Sequence, residues 1–367
     1  MQIPETFSNQ PVKTGFGGED FDWKHYDEHR PTFPKELFDT LFDYHEISPT
    51  IHGSAVDCGC GSTHVTRRWA NQFATVHAVD PGAGPESHAP GSGNLVLHKG
   101  PAEDLSFLDT GSVDMVVSSC AAHYFDRVAF LPEAARVLRS EGTLAIWSLA
   151  PTPHIGSRDS MATKIFKNLL QHCIPYPDTL PKENIQGFRL GISEDYDCWE
   201  FPAPTFGDVR RIWWNRPQDY PPFIKRENEE RIFDEKPEFM SKDMNVEQLR
   251  EYQHTLCNLE REWIVREGKP AAAYVQEAWD TLETEFGGPS GILQVFWPCF
   301  MVLARRSIFG LDLLWKYLSK IEVQDSKDAS TSTSNPFVTF VLYSKCMCWV
   351  IRDSSDMDER EAVMERG

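Results

Sequence analysis

The chain has 367 residues, 41% of them hydrophobic and 12% aromatic, which supplies a sizeable core and excludes a wholly disordered or fibrous protein. Lysine and arginine number 36 against 55 aspartates and glutamates, and the formal charge of −19 repels nucleic-acid backbones and anionic lipid. Nucleic acid and membrane are therefore set aside as partners in favour of a small-molecule ligand.

Residues 1–33 are polar and turn-rich and form an N-terminal cap segment, with an aromatic and charged cluster from Phe21 to Pro31. Leu37, Leu41 and Tyr44 recur at helical spacing behind Pro34 and predict a helix. Ser54 to Asp57 is a short strand that runs into Cys58-Gly59-Cys60-Gly61-Ser62, after which Val65, Trp69 and Phe73 mark a helical face. Thr75 to Asp80 is a second strand, ending on an acid, and Asn94 to His98 a third. Val113 to Ser118 is the fourth, a helix covers Ala129 to Arg139, and Gly142 to Trp147 is the fifth. This alternation implies right-handed βαβ crossovers, with helices on both faces of a parallel sheet.

Beyond Ala150 the pattern loosens. Residues 151–207 carry one helix, near Ala162 to Leu170, in a Pro- and Gly-rich stretch. Val209 to Trp214 reads as a sixth strand and Leu293 to Leu303 as a seventh, with amphipathic helices at Val246 to Arg266 and Ala271 to Phe286 between them. The expected fold is α/β: a doubly wound, mostly parallel seven-stranded sheet of Rossmann-like form. Residues 34–150 are its cofactor-binding core, and 151–304 supply helical lid insertions and the last two strands of the same domain. Residues 305–367 form a C-terminal appendage, partly disordered, because Gln324 to Asn335 is too polar to pack.

Met1 to Gly18 lack the basic start and apolar stretch of a secretory leader, and a cytoplasmic address is expected. Nine cysteines, an odd number at irregular spacing, read as reduced thiols. Neither Cys58-x-Cys60 nor Cys346-x-Cys348 meets a second pair or a histidine cluster, so no metal is expected. The apolar run Phe337 to Ile351 is interrupted by Lys345 and is shorter than the roughly 20 residues of a bilayer crossing.

The chemistry centres on Asp57-x-Gly59-x-Gly61, between a strand and a helix, with Asp80 at the end of the following strand. Glycines let a turn approach a ligand closely, and an acid at the next strand end accepts both hydroxyls of a ribose, so the set reads as a site for a nucleoside-containing cofactor. A purely structural turn is the alternative. The third glycine that seats a pyrophosphate on the helix is missing, and no Walker lysine follows, which disfavours a dinucleotide or a triphosphate.

Val56 to Ser62, Asp80, Pro101 to Phe107, Gly111 to Val116 and Ala121 to Asp126, in that order, resemble the class I S-adenosylmethionine-dependent methyltransferases. Tyr26-x-x-x-Arg30-Pro31-x-Phe33-Pro34 and the Ala121-Ala-His-Tyr-Phe-Asp126 stretch resemble more narrowly the trans-aconitate methyltransferases and their fungal relatives. The resemblance covers about 20–150 and, weakly, 205–305. It implies S-adenosyl-L-methionine as cofactor, with Asp57, Gly59 and Gly61 along its methionine part, Asp80 on the ribose hydroxyls, Ala102 and Glu103 at the adenine, and Ser119 beneath the sulfonium. One departure stands out: Thr63 occupies a position where these families usually carry glycine, and His64 follows it.

The resemblance implies methyl transfer to a carboxylate or hydroxyl oxygen of a small metabolite. A carboxylate acceptor needs no general base, whereas a phenol or alcohol benefits from one. His123, after the fourth strand, is the candidate catalytic residue, with a helix-start histidine bonded to backbone as its alternative reading. Tyr26 and Arg30, four apart, are candidates to close over the cofactor or pair with an acidic acceptor, the alternative being a surface ion pair. Trp214 is a candidate acceptor wall, although aromatics such as Trp213, Trp214 and Trp297 more often belong to a core. Arg210 and Arg211 flank that strand, and one of them faces solvent if the strand alternates. Two other readings keep the strand-turn-helix logic: a drifted, non-catalytic cofactor-binding protein marked by Thr63 and His64, and a nicotinamide-dependent oxidoreductase, which lacks the third glycine.

Overall fold

The computed structural model describes residues 21–46, 53–82, 93–150, 152–173, 196–197, 199–215, 226, 229–234, 239–256, 259–307, 342–343 and 346–347. The chain divides into two compact units, Met1–Gly310 and Leu311–Gly367. Among the described residues the second unit contributes a short hairpin, Leu342–Tyr343 paired with Cys346–Met347.

The first unit opens with helix α1 (Trp23–His29), whose N-cap Asp22 accepts the His25 N–H, and α2 (Lys35–His45), entered through Pro34. Strands β1 (Ser54–Cys58), β2 (Thr75–Asp80), β3 (Leu95–Lys99), β4 (Val113–Ser119) and β5 (Leu138–Leu149) follow, with α3 (Arg127–Val137) between the last two. Next come β6 (His154–Ile155), α4 (Met161–Cys173), β7 (Phe206–Trp214), β8 (Glu229–Asp234) and β9 (Ser241–Met244). The unit closes with α5 (Val246–His254), α6 (Leu259–Glu267), α7 (Lys269–Glu285), β10 (Leu293–Phe296) and β11 (Cys299–Arg306).

Eight strands form the main sheet in the order β3-β2-β1-β4-β5-β11-β7-β8, parallel except for β11, which runs antiparallel to both neighbours. β1 is buried from Ala55 to Cys58, as a central strand covered on both faces must be. Its alternate residues belong to different cores. Ala55, with Met115, Val117 and Trp147, packs in one cluster with Leu37 of α2, Phe166 of α4, Leu249 of α5 and Trp279 of α7. Val56, with Val116, Leu144 and Ile146, packs in the other with Phe130, Leu131 and Ala134 of α3. The doubly wound arrangement is thus written in the period-2 alternation of the strands. β1 is anchored at its start by the fully buried Asp114, whose carboxylate accepts the N–H groups of Gly53 and Ser54 and pairs with Arg139.

The fold departs from the expectation at four points. The sheet has an eighth strand, β8, whose charged sequence hides it; Glu229 is drawn in by the buried Arg211 of β7 at 2.6 Å. The run Leu293 to Leu303 divides at Trp297-Pro298: β10 pairs with β6 and β9 in a separate three-stranded sheet, and only β11 joins the main one. Proline has no N–H for a ladder, and its carbonyl instead accepts the N–H of Ala150. Val246 to Arg266 is two helices, α5 and α6. The helix expected over Val65 to Phe73 is two short 3₁₀ turns, Thr66–Arg68 and Ala70–Gln72, interrupted by Trp69 at φ −129°. Residues 174–195, 216–225 and most of the expected appendage, including nearly all of the 337–351 run, lie outside the described residues. Among the described residues no helix is long and apolar enough to cross a membrane.

Candidate active site

A cavity of about 400 Å³ opens at the carboxyl ends of β1, β2 and β4. Its floor is the turn after β1. Gly59 (φ +72°) and Gly61 (φ +53°) both occupy the left-handed region that favours glycine, and a Cβ built on Gly59 lies 2.3 Å from Cβ of Ala121 in the loop after β4. The turn is held from β2: Val79 O accepts the N–H groups of Gly59 and Cys60 at 2.8 and 3.1 Å. Asp80 Oδ2 accepts the Gly61 N–H at 2.9 Å, and Asp80 Oδ1 accepts that of Gly82 at 2.7 Å. Burial raises the Asp80 pKa, against the pull of those two backbone hydrogen bonds. Each of its oxygens keeps a second lone pair, the number that a ribose diol requires.

Thr63 also stands in the left-handed region, at φ +64°, fully buried. The backbone therefore keeps the geometry a glycine there would adopt, and the threonine carries the strain of that conformation. Its hydroxyl has no protein partner.

Asp57, at the end of β1, is 1% exposed. Its Oδ2 accepts the Thr66 hydroxyl at 2.6 Å, while Oδ1 is buried without a protein partner. Burial lifts its pKa from 3.8 to about 7; the Thr66 hydrogen bond opposes this and the charge of Asp80 adds to it. Pro101, Ala102 and Glu103 form one wall, and Ser119, Cys120 and Ala121 another. Cys120 is itself left-handed (φ +54°), and the Ser119 hydroxyl beside it is buried without a protein partner. Non-glycine residues held in this region gather at ligand sites.

The roof comes from the N-terminal segment. Trp23, Tyr26, Arg30, Pro31 and Phe33 line the cavity. Trp23 lies against the turn: a Cβ on Gly61 meets its ring at 3.0 Å. Ser62 ties the two together by donating its hydroxyl to Asp27 Oδ1 at 2.5 Å. The Arg30 guanidinium stands 5.0 Å from the Tyr26 ring and 5.9 Å from that of Tyr252 on α5, and its Nη1 is buried with no partner.

Of the residues singled out in the sequence, the structure brings Asp57, Gly59, Gly61, Asp80, Ala102, Glu103, Ser119, Tyr26 and Arg30 around this one cavity. His123 and Trp214 are not among its lining residues. His123 Nδ1 lies 2.8 Å from Tyr196 Oη, and burial, with the nearby Arg30 charge, pushes its pKa down to about 3, so the ring is neutral. Trp214 is buried and stacked on Phe239 at 4.3 Å, with Trp213 stacked on Phe233 and Trp297 also in the core. Arg211 donates to Glu229 and to the carbonyls of Tyr196 and Trp199; Arg210 pairs with Glu230. Sequence reasoning missed Trp23, Cys120, Tyr124 and Phe125 as lining residues. The signal for the last three was their place directly after a strand end in the cleft, beside the histidine that drew attention instead.

The residues fit a cationic adenosyl cofactor: an unpartnered carboxylate oxygen at Asp57 for its ammonium, spare lone pairs on Asp80, and a turn that a Cβ would fill. Comparison with known proteins agrees. A family described as a methyltransferase domain matches residues 56–146. A Dictyostelium discoideum protein named as a methyltransferase is 34% identical over 125 residues, covering 34% of this chain and 46% of its own length. A Saccharomyces cerevisiae protein named as an S-adenosylmethionine-dependent methyltransferase is 31% identical over 142 residues, 37% of this chain and 48% of its own. The chain thus spans about half the length of these relatives. An Aspergillus terreus methyltransferase is 24% identical over 319 residues, covering 77% of this chain and 93% of its own. A solved Anaeromyxobacter dehalogenans structure assigned to the type II methyltransferases has the same fold, with a TM-score of 0.53 at 23% identity, covering 75% of this chain and 97% of its own.

Proposed function

Residues 56–146 of this chain are a methyltransferase domain of the class I fold, with S-adenosylmethionine as cofactor, and from that premise we propose that the protein methylates an oxygen of a small, carboxylate-bearing metabolite. The observation that carries the acceptor class is Arg30, a guanidinium set against two tyrosine rings with a buried, unpartnered Nη1 and, among the described residues, no carboxylate acting on it. A carboxylate accepts from such a fork strongly, and the stacking holds the fork in place before the ligand arrives. The similarity of Tyr26–Pro34 and Ala121–Asp126 to trans-aconitate methyltransferases points to the same class of acid.

Bound S-adenosylmethionine supplies an already activated methyl electrophile. What remains for the protein is to hold the acceptor oxygen in line and keep water out. Ser119, Tyr124 and Phe125 wall the cavity after β4, and Trp23, Tyr26 and Phe33 cover it. A carboxylate is ionised at neutral pH and needs no proton removed. That favours an acid over an alcohol or phenol, because the histidine expected to serve as base, His123, is neutral, weakly basic and bonded to Tyr196.

The test is to incubate the full chain with S-adenosylmethionine and panels of small di- and tricarboxylic acids and phenols, following S-adenosylhomocysteine release and product mass. Methyl ester formation is expected. Arg30→Gln should raise the KM of the acid more than tenfold, since a charge-assisted fork is lost, while leaving cofactor affinity unchanged. A protein that binds the cofactor yet methylates only phenols refutes the acceptor class. A loss of cofactor affinity in Arg30→Gln reassigns that side chain to the cofactor carboxylate.

A further inference from the structure

Two histidines and a glutamate converge at the seam between the cavity roof and α5. His25 and His29 are four residues apart on α1, so they share a face, and their ring centroids are 4.4 Å apart. Glu251 of α5 reaches them, with Oε2 3.4 Å from His25 Nε2. One ligand atom from each of the three lies within 4.8 Å of the others, and all three residues are half-buried. His254, on the next turn after Glu251, places Nδ1 3.9 Å from the same carboxylate. His25 Nε2 is buried and makes no hydrogen bond, so the Glu251 contact alone does not satisfy it.

Two imidazole nitrogens and one carboxylate oxygen are the donor set of an open tetrahedral zinc site, whereas magnesium and calcium prefer oxygen alone. We propose that His25, His29 and Glu251 bind a zinc-type divalent cation that ties α1 to α5. A tetrahedron with bonds of about 2 Å spaces its ligand atoms about 3.3 Å apart. Small rotations of three half-exposed side chains close the distance, with water or His254 in the fourth position. Because Trp23 and Tyr26 lie on the same helix and Arg30 follows it, the ion would fix the roof over the cavity; that consequence rests on the methyltransferase reading, but the site itself does not.

The experiment uses tag-free full-length protein, stripped of metal and titrated with Co²⁺ and then Zn²⁺. One equivalent of Co²⁺ is expected to give the visible absorption of a tetrahedral N/O site, displaced by Zn²⁺. His29→Ala and Glu251→Gln should each abolish that spectrum and weaken Zn²⁺ binding beyond the roughly 10–100-fold cost of losing even an outer-shell partner. Both variants should melt as the wild type does without metal; if His29→Ala does not fold, Glu251→Gln alone decides. Zn²⁺ affinity unchanged in the variants, no binding tighter than about millimolar, or the near-ultraviolet charge-transfer absorption of cobalt thiolates, which would assign the ion to cysteines, each overturns the proposal.

Discussion

The raised pKa of Asp57 makes cofactor binding depend on pH in a way that can be worked out in advance. The carboxyl is 1% exposed, and burial, offset by the Thr66 hydrogen bond and reinforced by Asp80, moves its pKa from 3.8 to about 7. The cofactor brings a sulfonium and an ammonium, so the bound state favours the ionised carboxylate, and protonated protein must first lose its proton. Affinity then falls about 11-fold at pH 6 and about 100-fold at pH 5 relative to the alkaline limit, or about 1.4 and 2.7 kcal/mol. The free protein shows the opposite sign. Between the unfolded pKa and about 7 the native carboxyl binds a proton that the unfolded one does not, so this group destabilises the fold as pH rises through that window. The cofactor-induced rise in Tm should therefore be largest at alkaline pH. Calorimetric titration with S-adenosylmethionine between pH 5.5 and 8.5 measures the slope directly. Asp57→Asn is the control: its amide oxygen, placed where Oδ2 stands, accepts the Thr66 hydroxyl, its NH₂ mimics the protonated acid, and its affinity should be low and flat. A flat wild-type profile, or the same slope in Asp57→Asn, refutes the reasoning.

Gly59→Ala places a methyl 2.3 Å from Cβ of Ala121 at φ +72°, and the combined strain and overpacking should cost about 2–4 kcal/mol in chemical denaturation and remove cofactor binding. Asp114→Asn breaks a buried carboxylate's pairing with Arg139, and a loss of about 3 kcal/mol is expected in urea, the low end for buried pairs because Arg139 is partly exposed. His123→Gln should cost far less than the roughly 10²-fold that loss of a general base carries. It should also improve stability below pH 6: with its native pKa depressed to about 3, His123 binds fewer protons folded than unfolded, so its contribution is lost as pH falls below its ordinary 6.5.

The first five strands and the turn were legible because both signals are local: apolar runs of strand length, and glycines at positions the turn requires. What was not legible depends on distant partners. β8 reads as a charged stretch, and its sheet position follows from the pairing of Glu229 with Arg211, eighteen residues earlier in the chain. Which of Arg210 and Arg211 turns inward was equally undecided: the buried one, Arg211, is engaged by Glu229 and two carbonyls. Trp214 shows the same limit, since an indole suits a pocket wall as well as the more common core, and only the packing of Phe239 decides. The short turns over Thr66–Gln72 lay outside periodicity as well, because Trp69 and Phe73 sit on a helical stripe while the backbone between them breaks the helix. His25 and His29 carried a readable i, i+4 spacing, but the glutamate that gives it meaning arrives from α5.

Asp57 and Asp80, both expected to face the cofactor, differ in what the fold asks of them. Asp80 accepts the N–H groups of Gly61 and Gly82 with both oxygens, so removing it loosens the turn as well as any grip on a sugar, and lost binding in Asp80→Ala would not separate the two effects. Asp57 has one oxygen on Thr66 and one buried oxygen without a protein partner. An unsatisfied buried polar group costs about 1–3 kcal/mol. Arg30 Nη1 and Ser119 Oγ, lining the same cavity, are in the same state. The free oxygen of Asp57 complements the ammonium of the cofactor, and the free Nη1 of Arg30 complements the carboxylate of the proposed acceptor, around one space. It is therefore at Asp57 and Arg30, rather than at Asp80, that substitution reads out ligand recognition separately from the integrity of the fold.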